Sequence, residues 1–172
     1  MRLLLHACCA PCANRPIESL RQEGMAVTGF WFNPNIHPYT EYQARKHTLE
    51  EYAKEIGMKL IIGGAYQGKL TRAVEQFGLV PDTLCDLAQG FQPGKRCYYH
   101  LEAFTRAEKL AAPELFPEDA VIISREVGSG VVPMDAAERA WRERHGALLQ
   151  QLSRRSETVI RIFCGLPQQL KP

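Results

Sequence analysis

Short apolar runs and amphipathic stretches take turns along this chain, and that alternation constrains the fold more than any other feature. Leu3 to Ala7 reads as a buried strand, and Pro16 to Gln22 carries Ile17 and Leu20 at helical spacing before Gly24 stops it. Val27 to Phe32 is rich in β-branched and aromatic residues and runs into the turn signal Asn33-Pro34-Asn35. Thr40 to Ile56 follows as an amphipathic helix with Tyr42, Leu49, Tyr52, Ala53 and Ile56 on its apolar face, ended by Gly57; Met58 to Ile62 is then a third strand. Strands separated by helices cannot pair through tight turns, so they join a parallel sheet through right-handed crossovers. The predicted class is α/β, a parallel sheet with flanking helices.

Beyond Gly63 the alternation loosens. Helices are expected over Lys69 to Phe77, about Tyr99 to Leu110, and Ala136 to Arg154, with strands over Ala120 to Ser124 and Thr158 to Phe163. Pro113 and Pro117 mark a loop between them. The strand Met58 to Ile62 closes the first set of elements and opens the second, so one continuous sheet is the expected arrangement.

Composition narrows the class of protein. A 172-residue chain with 45% hydrophobic and 23% charged residues is ordinary globular material, and a net charge of +2 leaves no strong footprint for nucleic acid. The opening apolar run is broken by His6 and followed by Pro11, unlike a signal peptide, and no apolar run reaches membrane-spanning length. Six cysteines in such a chain suit metal or redox use in a reducing compartment better than a disulfide framework, so a cytoplasmic location is expected. The oligomeric state is open, a homo-oligomer included.

Gly63-Gly64-Ala65-Tyr66-Gln67-Gly68-Lys69 follows a strand and opens a helix, the context in which this spacing can cradle phosphate. Glycines let backbone NH groups turn inward on an anion, and Lys69 would reach the outer phosphates. Gly63, Gly64, Gln67, Gly68, Lys69 and Thr71 are the candidate nucleotide-binding residues. Leu70 stands where a magnesium-ligating hydroxyl is usual, with Thr71 one position out of register. A glycine-rich turn with an exposed lysine is the plain alternative.

Farther on, Ala120-Val-Ile-Ile-Ser124-Arg125-Glu126-Val127-Gly128-Ser129-Gly130-Val131-Val132-Pro133 resembles the signature of the adenosylcobinamide kinase/adenosylcobinamide-phosphate guanylyltransferase family. Arg139, Arg142-Glu143, Gly146, Gln150 and Leu152 add to the resemblance, as does Phe163 to Lys171, so it runs in order from Met58 to Lys171. It implies a P-loop NTPase-like fold, ATP or GTP with Mg2+, and a cobinamide-like substrate. Lys69 and Glu126 are the expected catalytic residues. Glu126 has an alternative role as acceptor of backbone NH bonds in its glycine loop. His100 reads as a surface or packing residue ahead of a nucleotide-accepting one, and Arg139, Arg142 and Arg144 as a solvated helix face.

Cys8-Cys9-Ala10-Pro11-Cys12 lies between the first strand and a helix, where the helix dipole favours thiolate. Metal or redox use competes there with simple packing of small side chains. The string Leu3 to Asn14, with Val27-Thr28-Gly29-Phe30 and Phe32-Asn33-Pro34-Asn35-Ile36-His37-Pro38-Tyr39, resembles the QueH-type epoxyqueuosine reductases, and the resemblance continues to Ile56. It implies a [4Fe-4S] cluster and nearby iron serving reduction of an epoxide on a tRNA nucleoside, with Cys8 and Cys9 matching the family's adjacent pair. That family's later Arg-Cys-x-x-Cys appears here as Arg96-Cys97-Tyr98-Tyr99-His100, and its closing Cys-Gly-Cys as Cys164-Gly165-Leu166. Cys8, Cys9, Cys12 and Cys97 are the candidate metal ligands. Cys97 and His100 with Cys9 and Cys12 would alternatively make a zinc site.

The expected organisation is a βαβα reductase-like segment over residues 1–57 joined to a P-loop domain over residues 58–172. The leading expectation is a nucleotide-binding enzyme of cobalamin synthesis, kinase or nucleotidyltransferase. An iron-sulfur reductase acting on tRNA is the alternative, and a binding module with neither site active is the third.

Overall fold

The computed structural model describes residues 2–107 and 112–171 and resolves the chain into two compact units, Met1–Ile56 and Gly57–Pro172. The first holds β1 (Arg2–His6), α1 (Ala10–Gln22), β2 (Ala26–Phe30) and α2 (Tyr39–Ile56). β1 and β2 pair in parallel, Leu3 opposite Val27 and Leu5 opposite Gly29. Side chains alternate across a strand, so Leu5 and Val27 meet Ala13 and Ile17 of α1 and Leu49, Tyr52 and Ile56 of α2 in a small core. α1 begins six residues before the expected Pro16. Cys9 is its extended N-cap, Pro11 occupies the first turn where no NH partner is needed, and Pro16 is accommodated within the helix.

The second unit holds β3 (Lys59–Gly63), α3 (Lys69–Phe77), β4 (Leu84–Asp86), β5 (Cys97–Tyr99), α4 (Leu101–Ala107), β6 (Val121–Arg125), α5 (Ala136–Arg155), β7 (Thr158–Phe163) and β8 (Leu166–Lys171). Their order in one six-stranded sheet is β4-β5-β6-β3-β7-β8, parallel except for β8. β3 sits between β6 and β7, with Ile61 opposite both Ile123 and Ile160. Its near-continuous apolar sequence is that of a strand covered on both faces. Leu60 and Ile122 face one core with Tyr98, Phe104, Phe116, Leu148 and Leu152, under α4 and α5. Ile61, Ile123 and Ile162 face the other, where α3 supplies Ala73 and Val74. Complete burial of Ile61 removes it from water at a gain of about 1.5–3 kcal/mol.

Three expectations change. The sheet is not continuous: β1 and β2 form their own two-stranded sheet, and β3 spends both of its edges on β6 and β7. The helix expected from Tyr99 starts at Leu101, because Cys97–Tyr99 pairs with β4 and β6 as a strand; the expected positions 108–110 lie outside the described residues. The closing segment forms β8, turned back on β7 at Cys164 and Gly165, both at positive φ (50° and 78°) as a two-residue hairpin turn demands.

Candidate functional site

The thiol loop is built by the junction of β1 and α1. β1 ends at His6, the Ala7 amide donates to the Phe30 carbonyl, and Asn33 Nδ2 donates to the Ala7 carbonyl at 2.9 Å, which fixes the chain just before the cysteines. His6 Nε2 lies 3.0 Å from the Phe32 carbonyl, so the segment after β2 is tied to the same strand end. The sulfurs of Cys8, Cys9 and Cys12 all lie within 4.8 Å of one another, with Cys8 Sγ 3.9 Å from Cys9 Sγ. Cys8 and Cys9 are half-buried and Cys12 is exposed.

The electrostatics of the trio are uneven. The neighbouring side chain and amide of Cys12, with smaller help from Cys8 and the Arg45 guanidinium, hold the Cys9 thiol below its ordinary value. The adjacent sulfurs, Cys9 first and then Cys8, push the Cys12 thiol up to about 11. Arg45 comes from α2, where it is ion-paired with Glu41 one turn earlier. Sequence reasoning missed Arg45 because a residue 36 positions from Cys9 is brought near it only by the packing of α2 on α1. Three converging thiols beside a cation form a site for a thiophilic metal or cluster, and three thiolates leave one position of a four-ligand set for another donor.

The structure places Cys97 differently. It lies fully buried in β5 of the second unit among Ile123, Val121 and Leu79, and burial pushes its thiol up to about 12. Among the described residues the group of potential ligands is Cys8, Cys9 and Cys12 alone. His100, at φ 60°, directs Nδ1 to Asp86 Oδ1 at 2.8 Å, while its carbonyl receives the Ala103 and Phe104 amides of α4.

The segment Gly63 to Lys69 connects β3 to α3 as expected. Gly63 is demanded by packing, since a Cβ there would stand 2.4 Å from the Ile162 carbonyl oxygen of β7. Gly68 is the left-handed N-cap of α3. Gln67 Oε1 accepts from the Cys164 amide, and Lys69 Nζ donates back to the Gly64 carbonyl. Burial lowers the Lys69 pKa against the opposing influence of Glu102. Leu70 packs against the core beneath α3, and Thr71 is exposed. Lys69, Thr71, His100, Glu102, Ser124 and Arg125 line a cleft of about 360 Å³. Glu126 lies beyond this wall: its amide donates to the Gly63 carbonyl and its carboxylate receives Arg161 Nη2 at 3.1 Å.

Fold and thiol loop together define a two-unit α/β protein with a sulfur-rich strand-to-helix turn. The family model described as Epoxyqueuosine reductase QueH matches residues 3–111, and the chain belongs to that family. The model described as Cobinamide kinase / cobinamide phosphate guanyltransferase matches residues 96–170. The QueH epoxyqueuosine reductase of Dehalococcoides mccartyi is 27% identical over 151 residues, 84% of this chain and 82% of the relative. That of Haemophilus influenzae is 43% identical over 60 residues, and that of Histophilus somni 42% over 60; each match spans 35% of this chain but only 24% and 25% of the relatives' length.

These matches overturn the expected cobalamin enzyme. The reductase family covers the thiol loop, the Gly63 to Lys69 segment and the region to residue 111, and a reductase relative aligns over most of the chain. The cobinamide match begins only at residue 96, so it leaves out the glycine loop on which nucleotide chemistry was to depend. ATP or GTP with Mg2+ and a cobinamide-like substrate rested on that reading and fall with it. Among the described residues, no helix is long and apolar enough to cross a membrane.

Proposed function

We propose that the protein is an iron-sulfur epoxyqueuosine reductase acting on a modified nucleoside of tRNA. The observation that carries this reading is the convergence of Cys8, Cys9 and Cys12 on one point at the β1–α1 turn of a chain in the reductase family. Three sulfurs within 4.8 Å of one another are thiolate donors for iron, with a fourth ligand supplied by another donor. Such a cluster, when bound, supplies electrons for reduction of an epoxide.

The protein's own residues do the rest. Arg45 offsets the negative charge of the clustered thiolates, and the Ala13 amide donates to the Cys9 carbonyl at the helix start. Phe30 and Phe32 stack at a centroid distance of 6.4 Å, with His6 5.9 Å from Phe30, where the chain leaves β1 and β2. Phe30 and Phe32 are exposed, and aromatic faces of this kind accept a flat unstacked base. tRNA binding through such a surface is compatible with the small net charge if local contacts, not bulk charge, provide affinity.

The test is anaerobic reconstitution with iron and sulfide beside a Cys8→Ala/Cys9→Ala variant, followed by assay on tRNA carrying epoxyqueuosine. Iron and sulfide retained only by the native thiol loop, with reduction of the nucleoside, is the expected result. Equal iron and sulfide in the double variant would sink the reading.

A further inference from the structure

We propose that Cys9 and Cys12 form a reversible dithiol/disulfide pair that exchanges with small-molecule disulfides, leaving Cys8 as a free thiol. The two residues are three apart at the start of α1, Cys9 as its N-cap and Cys12 within its first turn. Positions three apart on a helix place their Cβ atoms about 5–6 Å apart, slightly beyond the usual span of a disulfide, so a small adjustment of the helix start closes it. Their sulfurs already lie within 4.8 Å. The extended backbone of Cys9, φ −172° and ψ 166°, is free of the helical hydrogen-bond ladder on its N-terminal side, which gives the adjustment somewhere to occur.

Cys8 and Cys9 are nearly as close, at 3.9 Å between sulfurs, but they are neighbours in sequence. A bridge between them would close a small ring through one peptide group and work against its planarity. Cys-x-x-Cys following a strand and opening a helix is, in contrast, a spacing that supports thiol exchange. Accessibility agrees: Cys12 is exposed and Cys9 half-buried, whereas Cys85 and Cys97 are buried.

The chemistry balances as two exchanges. Cys9 sulfur, its proton released to solvent, attacks one sulfur of the disulfide RSSR; a Cys9–S–S–R bond forms and RS⁻ leaves. Cys12 sulfur, its proton passing to the released thiolate, then attacks the Cys9 sulfur and expels the second RS⁻, which takes a proton from solvent. Two protein thiols are oxidised by two electrons and RSSR is reduced to two RSH. The oxidised protein retains one thiol of the trio, so it cannot offer three sulfurs to a metal or cluster.

The test uses the full chain carrying Cys164→Ser, which removes the remaining exposed thiol, held anaerobically with a chelator and equilibrated with reduced and oxidised glutathione. Thiols are counted by quenching with an alkylating agent and mass spectrometry. The expected result is loss of two thiols without retained glutathione, both in this protein and with Cys8→Ala added. Cys9→Ser and Cys12→Ser should each abolish the closed form and retain glutathione as a mixed disulfide; serine preserves the N-cap at position 9. Closure in the Cys12→Ser variant, or its loss in Cys8→Ala, overturns the assignment. The readout needs no iron, so its failure is distinct from failure of cluster loading.

Discussion

Replacing His145 by alanine should destabilise the second unit and remove a specific dependence on pH. His145 is fully buried in α5, with Nδ1 2.8 Å from Thr105 Oγ1 and Nε2 3.0 Å from Ser124 Oγ. The Ser124 and Thr105 hydroxyls also reach the Arg125 and Glu102 carbonyls, each at 3.2 Å, and Thr105 Oγ1 receives Trp141 Nε1 at 3.2 Å; the neutral ring donates through one nitrogen and accepts through the other. One ring thus ties α5 to α4 and to β6. Deleting it loses two hydrogen bonds at about 1 kcal/mol each and leaves a cavity, together about 2–4 kcal/mol. Urea unfolding should be followed by Trp141 fluorescence in a Trp31→Phe background, so that the second unit alone is observed. Burial pushes the His145 imidazole below its ordinary value of 6.5. The unfolded chain therefore takes up a proton first as pH falls through about 6.5, and stability, full above that value, declines until the folded imidazole also protonates. A loss smaller than about 0.5 kcal/mol at about pH 8, or the same decline in the alanine variant, would refute this account.

Other outcomes follow from the same geometry. Gly63→Ala, which drives a Cβ against the Ile162 carbonyl, should cost about 2–4 kcal/mol by urea unfolding and loosen the pairing of β3 with β7. Ile61→Ala should cost about 2–5 kcal/mol in the same assay, from a cavity in the core under α3. In the native protein an alkylating agent should label Cys8, Cys9, Cys12 and Cys164 and spare Cys85 and Cys97 until denaturation, read by peptide mass. Glu126→Gln, which breaks a half-exposed pair with Arg161, should change stability by no more than about 1 kcal/mol.

The sequence by itself determined the α/β class, the strand and helix bodies from β1 to β3, α3 from Lys69 to Phe77 and β7 from Thr158 to Phe163, because periodicity and stop residues are local properties. It also marked Cys8, Cys9 and Cys12 as a group, since neighbours in sequence at a strand-to-helix turn are neighbours in space. It placed Tyr99 in a helix and gave β4, Cys97 and Tyr98, and β8 no strand, because three-residue strands and an exposed edge carry too little pattern. Only the tertiary structure decided that β3 pairs with β6 and β7 and leaves β1 and β2 in a sheet of their own, since strand neighbours are chosen by packing over long separations. The same holds for the burial of Cys97 and the approach of Arg45 to Cys9. A side chain's chemistry is written in its residue type, whereas its dielectric surroundings and partners exist only once distant segments have packed around it.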